Sequence, residues 1–266
     1  MRHVFATMGT MASIDVPDAW ASELPELELG FRAIDDRFSL YQPDSELSRI
    51  ADGRLSLSSA STILLASYSR ALEWRSTTGG NFSPHRPDGT IDLNGIVKAE
   101  AIEQAGAHLT EAGCPEWSIN VGGDLLVSPT GDATLDSASA TPRAPRLVRA
   151  GIIEPLSPTE LLCSLELRHP RRAIATSGSA ERGDHIWRAG SIAPTQFVQV
   201  SVVANDIVTA DVLATAIVAG SDDALDDVTS RWDVDVITVD RSGALRMTPG
   251  LLRALIKDAP ELGTDL

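Results

Sequence analysis

Hydrophobic positions along the chain fall into two regimes. Between residues 20 and 36, Leu24, Leu27, Phe31 and Ile34 recur at three- and four-residue intervals, the spacing that lines one face of a helix. Residues 61–77 repeat the amphipathic pattern, and Gly79-Gly80 supplies a stop, because glycine accepts the left-handed conformation in which helices end. A third helix is expected over 96–112, burying Ile96, Ile102, Ala105 and Leu109 and stopping at Gly113. Beyond it, residues 117–127, 147–153, 161–167, 197–203 and 234–239 are rich in β-branched side chains and read as strands. Residues 2–17 alternate more weakly and read as a strand running into a turn at Pro17. Helices are also expected near 209–219 and 222–232, with a short one after Pro249.

A helix-rich first part followed by a strand-rich second part predicts an α/β (α+β) fold around a mixed sheet. The chain reads as one domain, residues 1–266, and any division into two lobes falls in the Ser-, Thr-, Pro- and Gly-containing loop at 128–146. A plain Rossmann fold is not indicated. No G-x-G-x-x-G follows the first strand and no G-x-x-x-x-G-K-[ST] occurs.

Composition narrows the function. A chain of 266 residues, 43% of them hydrophobic, can bury a sizeable core. Its net charge of −15 repels polyanions, so nucleic acid and anionic membranes are excluded as expected partners. An anionic ligand would need a cation or backbone N–H groups to hold it. Positive charge is carried almost wholly by arginine, the lysines being Lys98 and Lys257. Cys114 and Cys163 lack metal-type spacing and read as buried thiols. With no apolar leader or membrane-spanning run, a cytoplasmic location is expected.

Five segments combine residue types that can do chemistry. In 208–217, Thr209 can cap a helix on which Asp211 and Thr215, four apart, share a face and offer the hard oxygens that Mg²⁺ prefers; a first-turn acid is also ordinarily explained by the helix dipole. In Asp92-Leu93-Asn94-Gly95-Ile96-Val97-Lys98, a polar loop enters a helix whose start offers N–H groups to a phosphate, and Lys98 there opposes the usual dipole preference. Asn120-Val121-Gly122-Gly123-Asp124 ends a strand with glycines that permit close approach of a ligand or form a simple turn. Thr176-Ser177-Gly178 ends another strand and precedes His185, which lies in a polar run and reads as an accessible or an inert surface histidine. Finally, Ser39 and Tyr41 follow Phe38 ahead of a helix capped by Asp44 or Ser45; Tyr41 can cover a flat ring or pack in the core with Phe38.

The order of these segments is more informative than any one of them. Met8-Gly9-Thr10, F-S-x-Y-x-x-x-S-E-L-S-R-I at 38–50, G-G-x-F at 79–82, D-x-x-G-x-V-K at 92–98, N-x-G-G-D at 120–124, A-T-S-G at 175–178, E-R-G-x-H-I at 181–186 and A-D-x-x-A-T at 210–215 resemble the ApbE-type flavin transferases in that family's order. The resemblance implies an α/β fold with a cleft between a helical and a sheet-rich part. It implies Mg²⁺-dependent transfer of FMN from FAD to a Ser or Thr hydroxyl of an acceptor flavoprotein domain, with release of AMP. By the same resemblance Asp211, Thr215 and a main-chain carbonyl at Gly95 would hold the metal, and Asp211 and His185 would serve catalysis, His185 by deprotonating the acceptor hydroxyl. Met8, Gly9, Thr10, Ser39, Tyr41, Asp92, Lys98, Asn120, Gly122, Gly123, Asp124, Thr176 and Ser177 would contact FAD.

The chain departs from the family pattern at Ser83, where F-D-P becomes Phe82-Ser83-Pro84, at Ala99, and at 187–190 after His185-Ile186. Two other readings follow from the same residues: an FAD pyrophosphatase using water as acceptor, and a flavin-binding module without catalysis.

Overall fold

The computed structural model describes residues 1–129, 148–178 and 195–256. The weak alternation near the N-terminus builds a hairpin, not a single strand. β1 (Arg2–Thr7) and β2 (Thr10–Asp15) pair antiparallel around Met8-Gly9, both at positive φ, 50° and 72°. Two consecutive left-handed residues match the twist of a two-residue hairpin. The stretch expected as one strand at 117–127 folds the same way: β3 (Ser118–Val121) and β4 (Asp124–Val127) turn over Gly122-Gly123 at φ 57° and 93°.

Between these hairpins lie α1 (Leu24–Phe38), α2 (Glu46–Ala51), α3 (Thr62–Thr77) and α4 (Asn94–Glu111). α1 buries Leu24, Leu27, Phe31 and Ile34 along the stripe its periodicity predicts. Ser45, not Asp44, caps α2, and Ser61 caps α3, each hydroxyl accepting an N–H of the first turn. α4 begins two residues before the expected start, where the Asp92 carboxylate accepts the Asn94 N–H at 2.9 Å. It ends at Gly113, φ 76°, where the N–H groups of Gly113 and Cys114 bond back to the Thr110 and Leu109 carbonyls.

The remaining strands are β5 (Val148–Glu154), β6 (Ser157–Leu167), β7 (Ala173–Gly178), β8 (Phe197–Ala204), β9 (Asp235–Asp240) and β10 (Leu245–Met247). Eight strands form one sheet in the order β1-β2-β3-β4-β7-β8-β9-β10, and β5 and β6 form a separate hairpin. Every described pairing is antiparallel, which corrects the expected mixed sheet. The reason is visible at β8 and β9. Val203 faces Asp235, so the chain must return to the end of the sheet it left. The connecting α5 (Ile207–Arg231) allows this by breaking at Ser221, φ 60° and ψ −145°, into the two helices that the periodicity at 209–219 and 222–232 predicts.

The sheet buries both faces, so its central strands are apolar on successive residues. Leu126, Ala173 and Ala175 face α1, α4 and α5, whereas Leu125, Val127 and Ile174 face the β5–β6 hairpin and Leu251 of α6 (Pro249–Ala254). Cys114 is buried and Cys163 half-buried, both as free thiols, and burial pushes Cys163 up to about 11. No helix among the described residues is long and apolar enough to cross a membrane. Most of the 128–146 loop lies outside the described residues.

Candidate functional site

Register brings the predicted segments to one end of the sheet. Ala12 faces Val121, which sets the β1–β2 turn beside the β3–β4 turn; a Cβ on Gly122 would stand 2.8 Å from Thr10 Oγ1. Leu125 faces Ile174, so Asp124 lies level with the end of β7 that carries Thr176 and Ser177. The Asn120 side chain accepts the Gly123 N–H at 3.2 Å and closes its turn. Met8 N–H donates to Asp35 Oδ2 at 3.3 Å, which ties the first turn to the last turn of α1. The chain leaving α1 is held in place at Ser39, whose carbonyl accepts the Ser45 and Ser48 hydroxyls at 2.5 and 3.0 Å and whose Oγ accepts the Tyr41 N–H. The two aromatics part here. Phe38 is core, while Tyr41 is 86% exposed and able to lie over a ring.

Two helices close over this end. Lys98 Nζ pairs with Asp124 Oδ2 at 2.5 Å, and Asp124 Oδ1 accepts the Thr176 N–H at 3.1 Å. Thr176 Oγ1 lies 2.7 Å from Ser201 Oγ, and Ser177 Oγ lies 3.0 Å from Thr215 Oγ1 of α5. Asp211, one helical turn before Thr215, is 3% exposed. The cap of α5 is Asp206, whose carboxylate accepts the Thr209 N–H at 2.8 Å, and not Thr209 as expected. Asp211 is therefore the fifth residue of its helix, beyond the first turn in which the dipole would account for an acid. Lys98 is likewise fifth in α4 and not in its first turn, because that helix starts at Asn94.

The entry to α4 is braced. Arg86 donates to Asp92 Oδ2 at 2.8 and 2.6 Å while the other Asp92 oxygen accepts the Asn94 N–H, so Asp92 is buried as a bracket. The Phe82 ring packs against Gly95, 3.0 Å from where a Cβ would stand. Ser83 Oγ accepts the His85 N–H at 3.2 Å, a turn-forming bond that an aspartate oxygen would make equally well. Further along α4, buried Glu100 faces α3, accepting the Ser67 hydroxyl at 2.6 Å, and burial raises its pKa above the ordinary carboxylate range.

The donor set suits a hard cation. Among the described residues no three His, Cys, Asp or Glu side chains converge, so a zinc-type cage is not built there. What is present is one buried carboxylate at Asp211, one hydroxyl at Thr215 and a helix-start carbonyl at Gly95. Carboxylate, hydroxyl and carbonyl oxygens are the kind of hard ligand that Mg²⁺ takes, with water and phosphate completing its octahedron. His185 and residues 187–190 lie outside the described residues. Three supporting residues escaped sequence reasoning: Asp35, Arg86 and Ser201. Only Asp35 carried a local signal, an acid in the last turn of a helix where the dipole disfavours it.

A sequence model of the ApbE family matches residues 83–238, more than half of the chain. A search of curated proteins finds no match. Among solved structures, the ApbE protein of Thermotoga maritima aligns with a TM-score of 0.74 at 16% identity, covering 97% of this chain and 99% of its own. The flavin transferase ApbE of Vibrio cholerae gives 0.70 at 19% identity over 96% and 99%. The flavinyl transferase ApbE of Pseudomonas stutzeri, in its apo form, gives 0.73 at 15% identity over 96% and 97%. At these identities the structures establish a shared fold.

Proposed function

The chain belongs to the ApbE family, and from that premise we propose that it cuts FAD and moves the FMN half onto a Ser or Thr hydroxyl of an acceptor flavoprotein domain. The solved relatives named flavin and flavinyl transferases support this reading. The observation that carries it is the Ser177–Thr215 contact at one end of the sheet, with buried Asp211 one helical turn before Thr215 and the Lys98–Asp124 pair tied to Thr176.

In this reading the acceptor oxygen attacks the FMN phosphorus, a new phosphoester bond forms, and the diphosphate P–O bond breaks so that AMP leaves with the bridging oxygen. The proton of the acceptor hydroxyl passes to His185, whose imidazole accepts it near neutral pH without extreme tuning. Asp211, Thr215 and the Gly95 carbonyl would hold magnesium, which when bound supplies neutralisation of charge on the diphosphate. Lys98 adds a fixed positive charge in a molecule whose net charge of −15 otherwise repels FAD. Tyr41 covers the isoalloxazine, and the two glycine-containing turns leave room for the ligand against the backbone. Holding donor and acceptor in line supplies much of the rate.

Purified protein incubated with FAD and Mg²⁺, with and without an acceptor domain, tests the reading. Acceptor-dependent AMP release with covalent flavin supports transfer. AMP release without acceptor identifies a pyrophosphatase, and no AMP in either case identifies a binding module.

A further inference from the structure

Asp124 stands in a segment that the family resemblance assigns to flavin contact, yet its side chain is 0% exposed. Both of its oxygens face protein, Oδ2 toward Lys98 Nζ at 2.5 Å and Oδ1 toward the Thr176 N–H at 3.1 Å. A carboxylate with no exposed surface does not touch a ligand. We infer that Asp124 is a positioning residue that aims Lys98 at the diphosphate of FAD, and is not itself a flavin ligand. The inference rests on the FAD-cleaving reading above.

Lysine is a compact charge on a flexible four-carbon stem, so its use at a defined point requires something to hold it. The Lys98 side chain is 18% exposed, so it is largely packed but still reachable by a ligand. Asp124 holds it from the buried side. The same carboxylate fixes the backbone of Thr176, and the next residue, Ser177, reaches Thr215 Oγ1 at 3.0 Å. One buried group therefore sets the spacing between the cation on α4 and the Asp211–Thr215 pair on α5. Its charge is matched by the Lys98 ammonium at Oδ2 while Oδ1 accepts the Thr176 N–H, the condition under which a buried carboxylate persists ionised. These contacts hold a cation and a pair of hydroxyls, groups that pair with phosphate oxygens, so the consequence of losing them falls on the phosphate half of the ligand.

The test compares dissociation constants for FAD and riboflavin, by flavin fluorescence in Mg²⁺, across the wild type, Asp124→Asn, Lys98→Met and the double variant. Asp124→Asn is expected to weaken FAD by about 10- to 100-fold, the usual effect of removing a group that orients another, and to leave riboflavin unchanged. The double variant is expected to bind FAD no more weakly than Lys98→Met alone, because Asp124 acts through Lys98. Glu100→Gln, which removes a buried carboxylate on α4 itself, is expected to leave both affinities unchanged. Equal weakening of FAD and riboflavin by Asp124→Asn would return Asp124 to the ring side and overturn the inference, as would additive losses in the double variant. Where Asp124→Asn does not fold, Lys98→Met decides: selective loss of FAD upholds the role, and unchanged FAD binding overturns it. Wild-type protein that binds riboflavin as tightly as FAD would overturn the FAD-cleaving reading and this inference with it.

Discussion

Gly178→Ala should damage both stability and activity although glycine is not needed there for conformation. The φ of Gly178 lies outside the left-handed range, so an alanine could adopt its backbone angles. Space is what it lacks. A methyl at this position would stand 2.2 Å from the Val198 carbonyl oxygen and 3.1 Å from Gln199 Cα, both in the main chain of β8. Backbone cannot rotate aside as a side chain can, so restoring ordinary contact moves the end of β7 away from β8 by about 1 Å. Overpacking of this kind costs about 1–3 kcal/mol, which for a chain of this length lowers Tm by about 2–10 °C. The displaced end carries Ser177, whose hydroxyl reaches Thr215 at 3.0 Å. A misplacement of about 1 Å at a reacting site can lower the rate by roughly 10², so kcat/KM for AMP release should fall by about that factor in the folded protein. Thermal unfolding by circular dichroism and initial rates of AMP release measure the two effects. A variant with wild-type Tm and wild-type kcat/KM would refute the close approach of β7 to β8 as the reason for glycine.

Asp211→Ala should abolish metal-dependent turnover, with Thr215→Ala milder because it removes a neutral ligand; full activity of the Asp211 variant in Mg²⁺ would remove α5 from the metal site. His185→Ala should keep FAD affinity and lower transfer by roughly 10²–10⁴, measured by flavin fluorescence and acceptor mass on one preparation, and unchanged transfer would exclude it as the base. Ser83→Asp should retain activity and stability, since its oxygen can accept the His85 N–H as Ser83 Oγ does; a misfolded or inactive product would contradict that turn. The pKa of Glu100 is raised by burial above its unfolded value, so the ionised form destabilises the fold at neutral pH and that penalty is relieved as pH falls through the folded pKa toward the unfolded one. The Tm of the wild type relative to Glu100→Gln should therefore rise as pH is lowered from neutral to the unfolded carboxylate range, and a flat or falling difference would contradict the burial.

The helices were legible because their signal is local. The stripe Leu24, Leu27, Phe31 and Ile34 and the break between 219 and 222 both appear where the periodicity places them. Strand direction was not legible, since it depends on where the chain re-enters the sheet, and the return path of α5 past Ser221 is set by tertiary packing. The helix starts lie upstream of where periodicity alone puts them: α4 opens at Asn94, whose N–H bonds to Asp92, and α5 is capped by Asp206 and not Thr209, because Asp and Thr are both good caps and the sequence alone does not rank them. At the site, the order of short segments identified which residues to look for. Their roles needed geometry: Asp124 proved to face Lys98 and Thr176, and Tyr41 proved to face solvent while Phe38 entered the core.

The most direct test of the account is the intact mass of an acceptor flavoprotein domain after incubation with this protein, FAD and Mg²⁺, read together with the AMP released. The account predicts that each acceptor gains one FMN on a Ser or Thr side chain, that AMP appears in equal amount, and that neither occurs with Asp211→Ala. FAD left intact in the presence of a competent acceptor, or AMP released while the acceptor mass stays unchanged, would contradict it.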